Sequence, residues 1–133
     1  MADSPAAGFD GLRLRHWKPQ RREDGVLVLQ FDRADAPVNA FSQDTLIELA
    51  DALERIAIDP PKGVVIASAK ASGFIAGADL KEFQEFDRKG TVNDAIRRGQ
   101  DVFQRLAELP CPTVAAIHGF CMGGGTELSL ACR

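Results

Sequence analysis

Apolar and polar residues alternate through residues 12–17, with Trp17 apolar out of turn, and again through residues 25–31. A period of two suits strands, and the polar stretch 20–24 between them suits a turn, so the pair reads as a β-hairpin. A loop carrying Pro37 and Asn39 follows over residues 32–41. Ser42 then stands as an N-cap ahead of a helix over residues 43–58, on which Leu46, Leu49, Ala50, Leu53, Ile56 and Ala57 share one face. Pro60 and Pro61 stop it. Residues 63–69 form a short, nearly continuous apolar run, the pattern of a strand buried on both faces. The Gly/Ala-rich stretch 72–79 reads as a loop and residues 80–87 as a short helix. Residues 92–109 read as a longer helix, with Val92, Ala95, Ile96, Gly99, Val102, Phe103 and Leu106 on its apolar face and Pro110 and Pro112 at its end. Residues 113–117 read as another buried strand and 118–122 as a loop. A last helix starts near the glycines at 123–125 and runs through Glu127 to Arg133.

Hairpin, helix, strand, helix, helix, strand, helix is an α/β order. There is no internal repeat and no low-complexity tract. Residues 1–11, with Pro, Gly and Ala, read as a flexible lead-in to a single domain over residues 12–133. The last helix has no Gly or Asn stop signal, and its apolar side is still running at Arg133. A sheet of so few strands also leaves apolar surface uncovered. The expectation is that the native polypeptide continues.

Composition narrows the function. The 133 residues are enough for one hydrophobic core, and 45% apolar with 26% charged is ordinary for a globular protein. With 16 basic and 19 acidic residues the net charge is -3, which argues against a nucleic-acid partner. No apolar stretch reaches the length of a membrane span, and the N-terminus, with Asp3 and no apolar run, does not read as a signal peptide. Cys111, Cys121 and Cys132 form no C-x-x-C pair, and only His16 and His118 could add nitrogen ligands, so no metal site is expected. An odd cysteine count suits a reducing, cytoplasmic setting.

Two strands each end in a glycine-rich loop that leads into a helix. Loops at the carboxyl ends of strands are where α/β folds bind ligands, and glycine lets backbone N–H groups approach closely. Two such loops facing one another could each supply one N–H to an oxyanion hole; equally, both could be tight turns and no more. The glycines at 119, 123, 124 and 125 match neither a Walker phosphate loop nor G-x-G-x-x-G. Glu127, in the first turn of the last helix, either complements the helix dipole or serves as a general base. Gly119 to Gly123 also imitates a nucleophile elbow with Cys121 in place of serine, yet no histidine follows it.

The stretch Phe74-Ile75-Ala76-Gly77-Ala78-Asp79-Leu80 is followed by Ala116-Ile117-His118-Gly119-Phe120-Cys121-Met122-Gly123-Gly124-Gly125-Thr126-Glu127-Leu128. Together they resemble the paired signatures of the crotonase (enoyl-CoA hydratase) family. Val38-Asn39-Ala40-Phe41-Ser42 extends the likeness to residues 12–133. The wording further resembles the hydratase end of multifunctional fatty-acid oxidation proteins, which carry a 3-hydroxyacyl-CoA dehydrogenase unit later in the chain.

The resemblance implies a ββα spiral, here incomplete at its C-terminus, in a family whose members usually form trimers. It implies an oxyanion hole from the N–H groups of Ala78 and Gly124, and Glu127 as the first of two catalytic glutamates. Ala76 and its neighbours would contact the coenzyme A adenine, with Ala36 and Val38 on the coenzyme's other side. Gly77, Asp79, Leu80, Phe120 and Gly123 complete the implied acyl-CoA contacts. Phe83 and Phe86 would pack inward or line an acyl tunnel, and Arg97 and Arg98 would meet a coenzyme phosphate or simply be solvated. The substrate is a coenzyme A thioester with no bound cofactor. NAD enters only with a dehydrogenase unit in the parent, which is expected to be oligomeric, in company with a thiolase. The family's second glutamate lies on a spiral turn that residues 1–133 do not include, so hydration is implied for a longer parent. A crotonase-type isomerase and a non-catalytic acyl-CoA-binding or interaction fragment are the alternatives.

Overall fold

The structure is a computed structural model that describes residues 6–133. Residues 1–5 of the expected lead-in lie outside the described residues. Its remainder is tied to the body of the domain. Phe9 is buried, the Arg21 guanidinium donates to Ala7 O at 2.7 Å, and that of Arg55 donates to Gly8 O and Asp10 O at 3.1 and 2.9 Å.

The hairpin consists of β1 (Trp17–Arg21) and β2 (Val26–Phe31), paired antiparallel with Trp17 opposite Phe31. Its first strand lies later than the alternation in residues 12–17 predicts. The turn is tighter than expected: Arg22 N–H donates to Val26 O at 2.8 Å, and Gly25 takes φ 89°. That is the left-handed position that closes a three-residue hairpin loop. Pairing therefore runs through Gln20 and Arg21, while β2 ends at Phe31 and offers residues 12–15 no partner. Pro19 is tolerated because β1 is the sheet edge.

Helix α1 (Gln43–Ile58) carries the chain to β3 (Gly63–Ser68), which pairs parallel with β2. The Ser42 hydroxyl accepts from Thr45 N–H at 3.2 Å, and the Thr45 hydroxyl accepts from Ser42 N–H at 2.8 Å, a reciprocal cap. The buried face of α1 is Thr45, Leu49, Ala52, Leu53 and Ile56; Ala57, expected there, is exposed. A short strand β4 (Gly73–Ile75), helices α2 (Leu80–Lys89) and α3 (Val92–Ala107), and strand β5 (Thr113–Ala116) follow, then β6 (Phe120–Cys121) and α4 (Gly124–Ala131). The main sheet has the order β1-β2-β3-β5, and β4 pairs with β6 in a second, two-stranded sheet.

Two expectations are corrected. β3 buries Val64 and Ile66 but leaves Val65 half-buried, and β5 leaves Val114 56% exposed with Ile117 beyond it 50% exposed. Both were expected to be buried on both faces. Among the described residues the helices cover one face of the sheet, and β5 is its open edge. On the covered face Leu27, Leu29 and Phe31 meet Val64 and Ile66. Aromatic rings link this core to α3: Trp17 stacks on Phe31 at 4.1 Å, Phe31 lies 5.6 Å from Phe41, and Phe41 meets Phe103 edge-on at 5.3 Å. No helix among the described residues is long and apolar enough to cross a membrane.

Candidate active site

The first glycine-rich loop leaves β4 at Ile75 and enters α2 at Leu80. It is held by an isolated parallel bridge to Phe41: Phe41 N–H donates to Gly77 O, and Asp79 N–H donates to Phe41 O, both at 2.8 Å. In such a bridge the residue between the two bonded groups turns its own N–H the opposite way. Ala78 is that residue. The second loop runs from β6 into α4, and Met122 N–H donates to Ile75 O at 3.0 Å to tie it to the first. Gly77 (φ 110°) and Gly123 (φ 51°) meet where the loops touch: a Cβ on Gly123 would stand 3.4 Å from Gly77 Cα. Only glycines allow this combination of backbone angle and approach. Gly124 opens α4, so its N–H is one of the free donors of a helix N-terminus. Among the described residues, neither Ala78 N–H nor Gly124 N–H donates to another backbone group.

Both residues line one cavity of about 540 Å³, together with Glu127 from the first turn of α4. The rest of its wall is mainly apolar: Phe41, Leu46, Ile47 and Ala50 on one side, Phe83 and Phe86 of α2 and Ile96, Val102 and Phe103 of α3 on the other. The size suits a small-molecule site. Chemically, two N–H groups lining one cavity could together hold a carbonyl oxygen that gains negative charge, and a carboxylate in the same lining can take or give a proton.

The sequence of residues 21–133 matches the family model described as enoyl-CoA hydratase/isomerase. The chain belongs to that family. Over 114 residues it is 38% identical to the fatty acid oxidation complex subunit alpha of Shewanella halifaxensis, which covers 85% of this chain and 16% of that protein. The fold is similar to that of an enoyl-CoA hydratase from Bacillus anthracis (TM-score 0.81, 32% identity, 90% of this chain and 46% of that one). It is also similar to Pseudomonas aeruginosa DspI (TM-score 0.83, 29% identity, 96% of this chain and 50% of that one). The crotonase-type α/β fold read from the two signatures is therefore shown. The chain spans about half the length of these solved relatives and 16% of the curated one.

Of the residues that the enoyl-CoA hydratase/isomerase resemblance points to, Ala78, Asp79, Gly124 and Glu127 line the cavity. The other expected contacts, Ala36, Val38, Ala76, Gly77, Leu80, Phe120 and Gly123, are not among its lining residues. Gly77 and Gly123 form the loop contact, and Ala76 N–H donates to Asn39 O at 2.8 Å. Leu80 is 75% exposed, and the Phe120 ring packs over Gly73. Ala36 and Val38 sit half-buried in a loop folded around the Lys70 ammonium. That group donates to Arg33 O and Ala36 O at 2.7 and 2.6 Å and pairs with Asp32 at 2.8 Å. Asp32 is held below the usual carboxylate range by hydrogen bonds from Lys18 and then Lys70.

Asp79 has its carboxylate committed to structure. It accepts from Lys81 and Glu82 N–H at 3.0 and 3.1 Å as the N-cap of α2, and from Arg33 at 2.6 Å. Desolvation raises its pKa, but the Arg33 hydrogen bond and the cap together outweigh it and hold the group low. Glu82, on the cavity wall, is pushed up by desolvation despite accepting from Gln43 N–H at 2.6 Å.

Sequence reasoning left Asn39 unassigned within its motif. It is fully buried, and its amide nitrogen donates to Phe31 O, Ser68 Oγ and Phe74 O at 2.9, 2.9 and 3.1 Å. It thus joins the ends of β2 and β3 to β4, on which the first loop hangs. A polar residue flanked by apolar ones inside the motif was the available signal. Phe83 and Phe86 do line the cavity, and Arg98 lies over the Phe86 ring at 5.7 Å. The nucleophile-elbow reading of Cys121 finds no support: the residue sits in β6 opposite Ile75, not at a strand-to-helix turn.

Proposed function

We propose that the cavity binds a coenzyme A thioester of a 2-enoyl acid, with Ala78 and Gly124 N–H on the thioester oxygen and Glu127 beside the double bond. The observation that supports this is that Ala78 and Gly124, whose N–H groups donate to no other backbone group among the described residues, line the same largely apolar cavity as Glu127. In hydration, Glu127 accepts hydrogen bonding from a water whose oxygen bonds to C3 of the enoyl group. The electron pair of the double bond moves toward C2 and the carbonyl, and the two N–H groups stabilise the resulting enolate. The proton that the water gives up to Glu127 as its oxygen bonds to C3 is delivered to C2, which completes the addition and leaves the carboxylate ionised again. Each donor is worth about 3 kcal/mol of transition-state stabilisation where such holes have been dissected.

Residues 1–133 match 16% of the curated relative and about half of the solved ones, so hydration is proposed for the whole protein and not for these residues alone. Its fatty acid oxidation role rests on the name of the Shewanella relative. The proposed parent is oligomeric and in company with a thiolase; NAD would serve only a dehydrogenase unit there. A cytoplasmic setting agrees with the free thiols of Cys111, Cys121 and Cys132. An isomerase reading keeps the same hole and moves a proton from C4 to C2 instead.

The test is hydration of crotonyl-CoA by the polypeptide of the full reading frame that contains this chain, with and without Glu127→Gln. The expected loss is about 10²–10⁴-fold in kcat with unchanged thermal stability, because Glu127 is solvent-exposed. Undiminished hydration by the variant would rule out the assigned role. The 133-residue chain alone is expected to show little hydration.

A further inference from the structure

Helix α2 buries no residue, so core packing does not fix where it begins. Its N-cap, Asp79, directly follows Ala78, and the direction of the Ala78 N–H therefore depends on the polar ties at that end of the helix. One tie is the bridge to Phe41. A second is Glu82, which accepts from Gln43 N–H at 2.6 Å. The third is Arg33, whose guanidinium donates to Asp79 Oδ2 at 2.6 Å across 46 residues of chain. The two side chains are 22% and 20% exposed. A charge-assisted bond in that setting is shorter, stronger and less screened than a pair on the open surface.

Arg33 is itself held at its backbone. Its N–H donates to Asn39 Oδ1 at 2.9 Å, and its carbonyl accepts from Lys70 Nζ at 2.7 Å. Beside it, Ala34 N–H donates to Nδ1 of the buried His16 at 3.0 Å. Asn39 in turn is bonded to Phe31 O of β2 and Ser68 Oγ of β3. The guanidinium thus reaches the first glycine-rich loop from a point tied to the main sheet. A solvated arginine needs no such anchors, and ordering its long side chain costs entropy that the Asp79 contact must offset. Arg33 is not among the residues that line the cavity, so direct contact with the reacting atoms is not its role. We propose that Arg33 is a positioning residue: its ion pair with Asp79 sets the direction of the Ala78 N–H, and with it how strongly that group polarises the thioester carbonyl. This rests on the acyl-CoA reading of the site.

The experiment compares the polypeptide of the full reading frame with its Arg33→Ala, Arg33→Lys, Asp79→Asn and doubly substituted Arg33→Ala/Asp79→Asn variants. It reads kcat and KM for hydration of crotonyl-CoA, and the infrared carbonyl band of bound butyryl-CoA labelled with carbon-13 at the carbonyl. Arg33→Ala is expected to lower kcat about 10- to 100-fold, a part of the roughly 10²–10³-fold that losing a whole oxyanion donor costs. KM changes far less, and the bound band moves toward its position in the free thioester. Asp79→Asn keeps a side-chain oxygen for the N-cap but not the charge that Arg33 meets, and shows the same loss. The double variant loses no more than either single one, because both break the same contact. Arg33→Lys returns a positive charge and recovers part of the kcat and of the band shift. An Arg33→Ala protein that is less stable but keeps its kcat and its carbonyl band overturns the proposal, as do losses that multiply in the double variant. Should Arg33→Ala fail to fold, an unmoved kcat and band in Asp79→Asn overturn it as well. Failure of the unaltered polypeptide to bind any thioester would instead remove the acyl-CoA reading itself, and this inference with it.

Discussion

Replacing Asn39 by alanine should be among the most damaging single changes near the cavity. The side chain is fully buried; its oxygen accepts from Arg33 N–H at 2.9 Å, and its two amide hydrogens are shared among three acceptors. After truncation, Phe31 O keeps Ala69 N–H, and the Ser68 hydroxyl keeps its bonds to Lys70 N–H and Gly73 O. Phe74 O and Arg33 N–H lose their side-chain partner. Two net hydrogen bonds at about 1 kcal/mol each, plus part of the 1–3 kcal/mol for stranding a buried carbonyl, give about 3 kcal/mol. Against a typical domain stability of about 5–15 kcal/mol that is a large fraction. Urea unfolding should show a lower midpoint with an unchanged slope. Asn39→Asp keeps the shape but turns an oxygen toward three oxygens, so at neutral pH it should lose at least as much. At acid pH the protonated carboxyl can donate one bond again and the deficit should narrow. An Asn39→Ala chain within about 1 kcal/mol of the original would refute this account of how the first loop is held.

Two further outcomes follow from the same geometry. Gly125→Ala drives a Cβ to 2.8 Å from the Ile75 backbone oxygen, which cannot swing aside, so a loss of about 1–3 kcal/mol is expected in thermal or urea unfolding, with weakened acyl-CoA binding as the loops part. Asp79 has a depressed pKa in the folded chain, so its contribution to stability is fully present above the unfolded value of about 3.9 and is lost as pH falls through the lower folded value. Arg33→Ala removes the ion pair that opposes desolvation; the stability gap between the two chains should therefore be wide at neutral pH and shrink on acidification, and a gap that does not change with pH would speak against the pair.

Local chemistry was legible where it decided the outcome. Helix α1 begins and ends where Ser42 and Pro60 place it, because a cap and a proline act over a single turn. The two loops were legible too, since glycine clusters between a strand and a helix have few uses. Strand β1 was displaced because its extent depends on the length of its partner, which alternation in residues 12–17 does not record. The exposure of Val114 on β5 depends on what covers the sheet, again not a local property. The cavity walls were the least legible. Leu46, Ile96, Val102 and Phe103 have the spacing of a packed core, and an apolar stripe reads the same whether it meets side chains or open space. Gly99 was the one interruption in that stripe. Asn39 was recognisable as part of a motif, but its role appears only where the ends of three strands converge.

The central claim is that Ala78 and Gly124 N–H grip the thioester carbonyl. It is tested most directly by isotope-edited infrared spectroscopy of an acyl-CoA labelled with carbon-13 at that carbonyl, free and bound to the chain. Two converging N–H donors polarise the C=O bond, so the bound ligand should show its carbonyl band at lower frequency than the free thioester in water. A bound thioester whose band stays at the free position would contradict the oxyanion-hole assignment.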